Sequence, residues 1–171
     1  EGKLEFVKLF HSYGAILEHK ALMEAGKFGH FHIVQYFDEQ SVDLAAKDGK
    51  LLLYAAEFGN MELVKRLVED FQVDCNIVGD GGKTPLSEAS KNNLADVAKY
   101  LLKRGAMTIV EYDEYDGERV PSPLAGFASH GNIPMLKILL KHGAEIDDNA
   151  MNQATRNLTS LKFLRMEIGR A

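Results

Sequence analysis

One short phrase recurs along this chain, and its recurrence limits the architecture more than any single residue does. Lys83-Thr84-Pro85-Leu86-Ser87-Glu88-Ala89 is echoed by Ser122-Pro123-Leu124-Ala125-Gly126-Phe127-Ala128, and more loosely by Lys50-Leu51-Leu52-Leu53-Tyr54-Ala55-Ala56. After each echo comes a Gly or Asn, then an apolar run: Leu63-Val64-Lys65-Arg66-Leu67-Val68, Val97-Ala98-Lys99-Tyr100-Leu101-Leu102 and Met135-Leu136-Lys137-Ile138-Leu139-Leu140. Gly105-Ala106 and Gly143-Ala144 close two of these runs. Units of this size cannot bury an apolar face alone, so they must stack on their neighbours.

Local chemistry gives each unit two helices. Pro85 and Pro123 stand at helix starts, where a missing N–H costs nothing, and Thr84 and Ser122 before them are N-cap residues. Ala55, Ala56, Ala89 and Ala128 suit a short first helix lying close to its neighbour. Leu63, Val64, Leu67 and Val68 form one apolar stripe on the second helix. Gly105 and Gly143 provide its left-handed terminator. Pro134 falls in a first helical turn and is compatible with that helix.

These phrases and their spacing resemble the ankyrin repeat. Anchored on the residue between the paired helices, the units fall at Gly2, Gly29, Gly59, Asn93 and Gly131, with a degenerate last unit at Arg156 or Asn157. The steps of 27, 30, 34 and 38 residues scatter about the family period of roughly 33. The resemblance implies an all-α solenoid of stacked helix-turn-helix units with short hairpin-like fingers. Residues 1–171 read as a single domain: a partial unit 1–15, units of about 16–45, 46–78, 79–110 and 111–146, and a degenerate or partial unit 147–171. Residues 4–15 read as a second helix with no first helix before it, so the chain is expected to be a piece of a longer protein. The short stretch between Phe37 and Lys50 leaves room for only a small finger, turning at Asp48-Gly49, and the first helix of the unit around Ala15–Phe37 is the weakest of the set.

Composition narrows the function classes. The chain has one cysteine, Cys75, which excludes an intramolecular disulfide framework and suits a reducing, cytoplasmic setting, or a host cytoplasm if the parent protein is a delivered effector. No apolar run reaches the roughly 18 residues of a membrane span. A net charge of −5 with 20 dispersed Lys and Arg argues against nucleic acid. Among six histidines, His30 and His32 have no zinc-like partners, and His30 holds a position where ankyrin-like units carry a histidine bonding between repeats. His11, His19 and His142 fall near helix ends, where solvated or capping roles suffice. Gly79-Asp80-Gly81-Gly82-Lys83-Thr84 ends like a phosphate loop but has Ile77 where that frame needs glycine, and reads as a turn between repeats. No nucleophile, base and orienting partner come together, so no catalytic, cofactor or metal residue is assigned and the chain is expected not to be an enzyme.

The resemblance implies a protein-binding scaffold. In such stacks the residues before each anchor glycine face the concave groove; here they are Lys27-Phe28, Glu57-Phe58, Lys91-Asn92 and Ser129-His130. Phe28 and Phe58 fit either exposed anchors or mutual packing. The long step of 38 residues comes from a finger carrying Glu111, Tyr112, Asp113, Glu114, Tyr115, Asp116 and Glu118, which reads either as a patch for a basic partner or as a solvated loop. The expected state is a monomer. The competing readings are a targeting or regulatory arm of a multidomain enzyme or pathogen effector with its catalytic residues elsewhere, and a structural array stacking through its open ends.

Overall fold

A computed structural model describes residues 2–42, 49–109 and 122–169. Eleven helices are found among them and no strand: α1 Gly2–Ser12, α2 His19–Lys27, α3 Phe31–Glu39, α4 Lys50–Glu57, α5 Met61–Glu69, α6 Pro85–Lys91, α7 Ala95–Lys103, α8 Pro123–Ser129, α9 Ile133–Lys141, α10 Asp148–Ala154 and α11 Leu158–Ile168. None exceeds 11 residues. Helices this short are marginal in water, so tertiary packing must hold them.

The packing follows the sequence pattern. The inner helices α2, α4, α6, α8 and α10 contact one another in succession, and each packs on the outer helix that follows it. Small side chains floor the inner row: Ala55, Ala56, Ala89, Ala128 and Ala154 are fully buried. Leu67, Leu101 and Leu139, each in the last turn of α5, α7 and α9, are also fully buried and belong to one continuous core. A methyl on Gly126 would stand 2.8 Å from the backbone carbonyl carbon of Ser90, so α6 and α8 touch closely enough to require glycine there.

Helix starts are capped as their residue types dictate. Thr84 Oγ1 accepts from the Ser87 amide at 3.1 Å, while Ser87 Oγ accepts from the Thr84 amide at 2.9 Å. Ser122, Asn60, Asn132 and Asp147 each accept from an amide three residues on, leaving fewer orphan donors in the first turns. The turns between paired helices are left-handed at Gly29, Gly59, Asn93 and Gly131, with φ of 68°, 72°, 56° and 74°. Gly14, Gly105 and Gly143 end their helices in the same region of backbone space.

One expectation needs correction. Gly2 does not occupy a turn between helices but heads α1. The turn of the last unit falls between α10 and α11 at Arg156 and Asn157, as read from the sequence, without a left-handed residue: Asn157 is an extended N-cap at φ −137°, and its Oδ1 accepts from the amides of Thr159 and Ser160. α2, weakest by sequence, is nonetheless formed, because Leu22 and Ala25 are buried and Gly26 fits against Leu51 of α4. Tertiary packing outweighs the low intrinsic propensity of that segment.

Candidate functional site

Four of the residues singled out by sequence occupy one structural position. Phe28, Phe58, Asn92 and His130 are the C-cap residues of α2, α4, α6 and α8. Each follows a short inner helix and precedes a left-handed residue, so the backbone presents all four side chains in the same register.

Their side chains do different things. Asn92 Nδ2 donates to the carbonyl of Glu57 at 3.0 Å, and His130 Nε2 lies 2.8 Å from the carbonyl of Lys91. In both cases the C-cap side chain reaches the residue just before the C-cap of the preceding unit. A carbonyl can only accept, so His130 carries its proton on Nε2. Phenylalanine has no donor and cannot make this tie. Phe28 is 63% exposed and Phe58 48% exposed, and the Phe28 ring lies 6.3 Å from that of His30. Thus the first two positions offer aromatic surface where the next two offer polar ties between units.

Lys91 is exposed and approaches Glu88 at 3.8 Å, beyond hydrogen-bond reach. It lines a groove of about 380 Å³ with Ser87, Ser90, Ser129, His130 and residues of α10. A second, smaller hollow of about 80 Å³ lies beside the turn at Asp80, between Tyr54, Glu57 and Glu88. Lys50 donates to Asp80 there at 2.9 Å and holds that carboxyl below its ordinary range, helped by the charge of Lys83. The finger residues Tyr112, Asp113, Glu114, Tyr115 and Asp116 lie outside the described residues.

The remaining candidates for chemistry have structural partners. The Gly79–Thr84 stretch is a tight turn: the Gly79 amide donates to the Lys83 carbonyl at 2.8 Å, and Gly81 and Gly82 are left-handed. The Thr84 hydroxyl is engaged in its helix cap. Cys75 is buried, and its thiol is pushed above its ordinary pKa by desolvation first and by the charge of Asp74 second. His30 Nε2 meets Lys3 Nζ at 2.9 Å, a contact between neighbouring units, as expected for that position. His11 was expected to be solvated or capping. Instead its Nδ1 lies 2.7 Å from the Tyr36 hydroxyl with the rings edge to face, because α1 packs on α3 there. His142 Nδ1 lies 2.8 Å from the Ile138 carbonyl, a capping contact. Among the described residues no three His, Cys, Asp or Glu side chains gather to hold a metal, and no helix is long and apolar enough to cross a membrane.

A family profile of three ankyrin repeats matches residues 22–113. The chain belongs to the ankyrin repeat family. It is 28% identical over 157 residues to ankyrin repeat protein nuc-2 of Neurospora crassa, covering 85% of this chain and 14% of that protein. It is 29% identical over 104 residues to the mouse ankyrin repeat and SAM domain-containing protein 6, covering 61% and 11%. A stretch of 85 residues is 40% identical to alpha-latrocrustotoxin-Lt1a of Latrodectus tredecimguttatus, half of this chain and 6% of the toxin. The chain thus spans a small fraction of the length of these relatives. Ankyrin repeats are generally protein–protein interaction modules and typically carry no catalysis.

Sequence reasoning found the shared register of the C-cap positions but not the split within it. The signal was present. Asn and His can donate a hydrogen bond to a neighbouring carbonyl and Phe cannot, so residue type alone separates polar ties from aromatic surface.

Proposed function

We propose that this ankyrin stack holds a partner protein along the face formed by the C-terminal ends of its inner helices, with Phe28 and Phe58 as the anchors. One observation carries the reading: two aromatic side chains stand exposed at the position where the following units place Asn92 and His130 in ties between units. Exposed aromatic rings in register contribute strongly to binding when a partner covers them, through desolvation and close packing. Asn92 and His130 frame that surface more than they anchor it, since Asn92 Nδ2 and His130 Nε2 are already engaged by backbone carbonyls of the preceding unit. Lys91 extends the face on the charged side. Tyr112, Asp113, Glu114, Tyr115 and Asp116 would add long-range attraction for a partner with basic residues near the anchors. The chain acts in this reading as a monomer, in the cytoplasm, without cofactor or nucleic acid.

The test is quantitative affinity capture from extracts of the source cell, with the parent chain and Phe28→Ala, Phe58→Ala and the double variant. The expected outcome is a defined set of captured proteins that falls away in the double variant while the melting temperature barely moves. An unchanged set with the double variant would overturn the aromatic anchors. A collapse in melting temperature would instead assign both rings to packing, since truncating a buried Phe costs about 3–5 kcal/mol.

A further inference from the structure

The groove beside Lys91 has a charge character that does not follow from the net charge of the chain. Its floor is the contact of α6, α8 and α10, and it encloses about 380 Å³. Three of the serines that line it donate to backbone carbonyls, Ser87 Oγ to Thr84 at 2.9 Å, Ser90 Oγ to Ser87 at 2.7 Å and Ser129 Oγ to Gly126 at 2.8 Å, while Ser122 Oγ accepts from the Ala125 amide. The groups that remain to meet a ligand are the Lys91 ammonium, the Arg156 guanidinium, the side-chain amides of Asn149 and Gln153, the Ser122 hydroxyl proton and His130 Nδ1. Arg156 is exposed, and its guanidinium makes neither a hydrogen bond nor an ion pair among the described residues. Lys91 has only the distant approach of Glu88. The described lining contains no carboxylate, although the whole chain carries five more acidic than basic residues.

We propose that this groove receives an extended acidic segment of a partner protein, with carboxylates set on Arg156 and Lys91. The chemistry of the lining supports that choice. A guanidinium matches a carboxylate through two parallel N–H donors, an ammonium adds a second positive point, and Asn149 and Gln153 can each donate to and accept from a peptide backbone. The tight seam at Gly126 closes the floor between α6 and α8. A basic segment would meet the Arg156 guanidinium, which has no ion pair among the described residues, and the Lys91 ammonium, whose pairing with Glu88 is long at 3.8 Å, so charge sets the class of occupant. This inference rests on the proposed use of the inner-helix face for binding and adds the charge of the ligand.

The experiment uses fluorescein-labelled hexaglutamate and hexalysine as probes, followed by fluorescence anisotropy on the intact chain at low and physiological salt. Hexaglutamate is expected to bind and hexalysine to bind more weakly at this face. Arg156→Ala and Lys91→Ala are each expected to weaken the acidic probe roughly threefold to tenfold, as for a charge-assisted contact at a partly exposed site. The double charge reversal R156E/K91E should abolish its binding, and R156E alone, which leaves Lys91 beside the buried Glu88 carboxylate, should weaken it with the melting temperature unchanged. Phe58→Ala should leave hexaglutamate binding intact, which separates failure of this inference from failure of the aromatic anchors. Hexaglutamate binding that is absent, or that persists unchanged in R156E/K91E, overturns the proposal.

Discussion

Asn132 Nδ2 donates to Asn93 Oδ1 at 2.7 Å across 39 positions of sequence, while Asn132 Oδ1 accepts from the Met135 amide and caps α9. One amide side chain therefore starts a helix in its own unit and holds the left-handed turn of the unit before. The two roles can be separated. Asn132→Ser should retain the cap and lose the reach to Asn93, costing about 0.5–1.5 kcal/mol for one hydrogen bond. Asn132→Ala should lose both and cost about 1 kcal/mol more. Urea unfolding of the two variants measures the difference; a serine variant as stable as the parent would mean the tie contributes nothing to stability.

Leu101 is fully buried in α7 and belongs to the same core as Leu67 and Leu139. Leu101→Ala should lower the unfolding free energy by about 2–5 kcal/mol, because the transfer loss is joined by a cavity the stack cannot close. Denaturant titration of the intact chain checks this, and a loss under about 1 kcal/mol would place the residue outside the core.

Cys75 should be slow to alkylate in the folded chain, since burial disfavours the thiolate that reacts. The sign for stability follows from linkage. The folded thiol titrates above its unfolded counterpart, so its contribution is complete below the ordinary thiol range and declines as pH rises through the folded value. Unfolding free energy measured across mildly alkaline pH should fall, and Cys75→Ala should flatten part of that fall. An identical pH profile in the variant would remove Cys75 from the account.

How far the sequence can be read depends on where the determining atoms lie. Pro85, Thr84 and the Leu67–Leu101–Leu139 series announce helices and core because their effect is local or periodic, and the structure bears out an all-helical stack. α2 was harder to foresee: His19–Lys27 has no cap signal, and its helix depends on Leu51 packing over Gly26, a contact between units. The same limit applies to the binding face. Position told that Phe28, Phe58, Asn92 and His130 share a register, whereas the carbonyls that engage Asn92 and His130 come from another unit. The charge of the groove was hidden for the same reason, since Lys91 and Arg156 lie 65 positions apart in the chain and meet only after stacking.

Gly126 facing Ser90 bears on whether the modules of this chain could be exchanged. A repeat array invites the view that any unit can be cut out, duplicated or moved. The seam between α6 and α8 admits no methyl, and the one at Gly26 is filled by Leu51 from the other side. These two junctions are keyed to their own neighbours. Shuffled orders of these units would set alanine-sized surfaces against seams that fit only glycine, so the order of modules is itself specified by packing, even though the helical phrase within each module repeats.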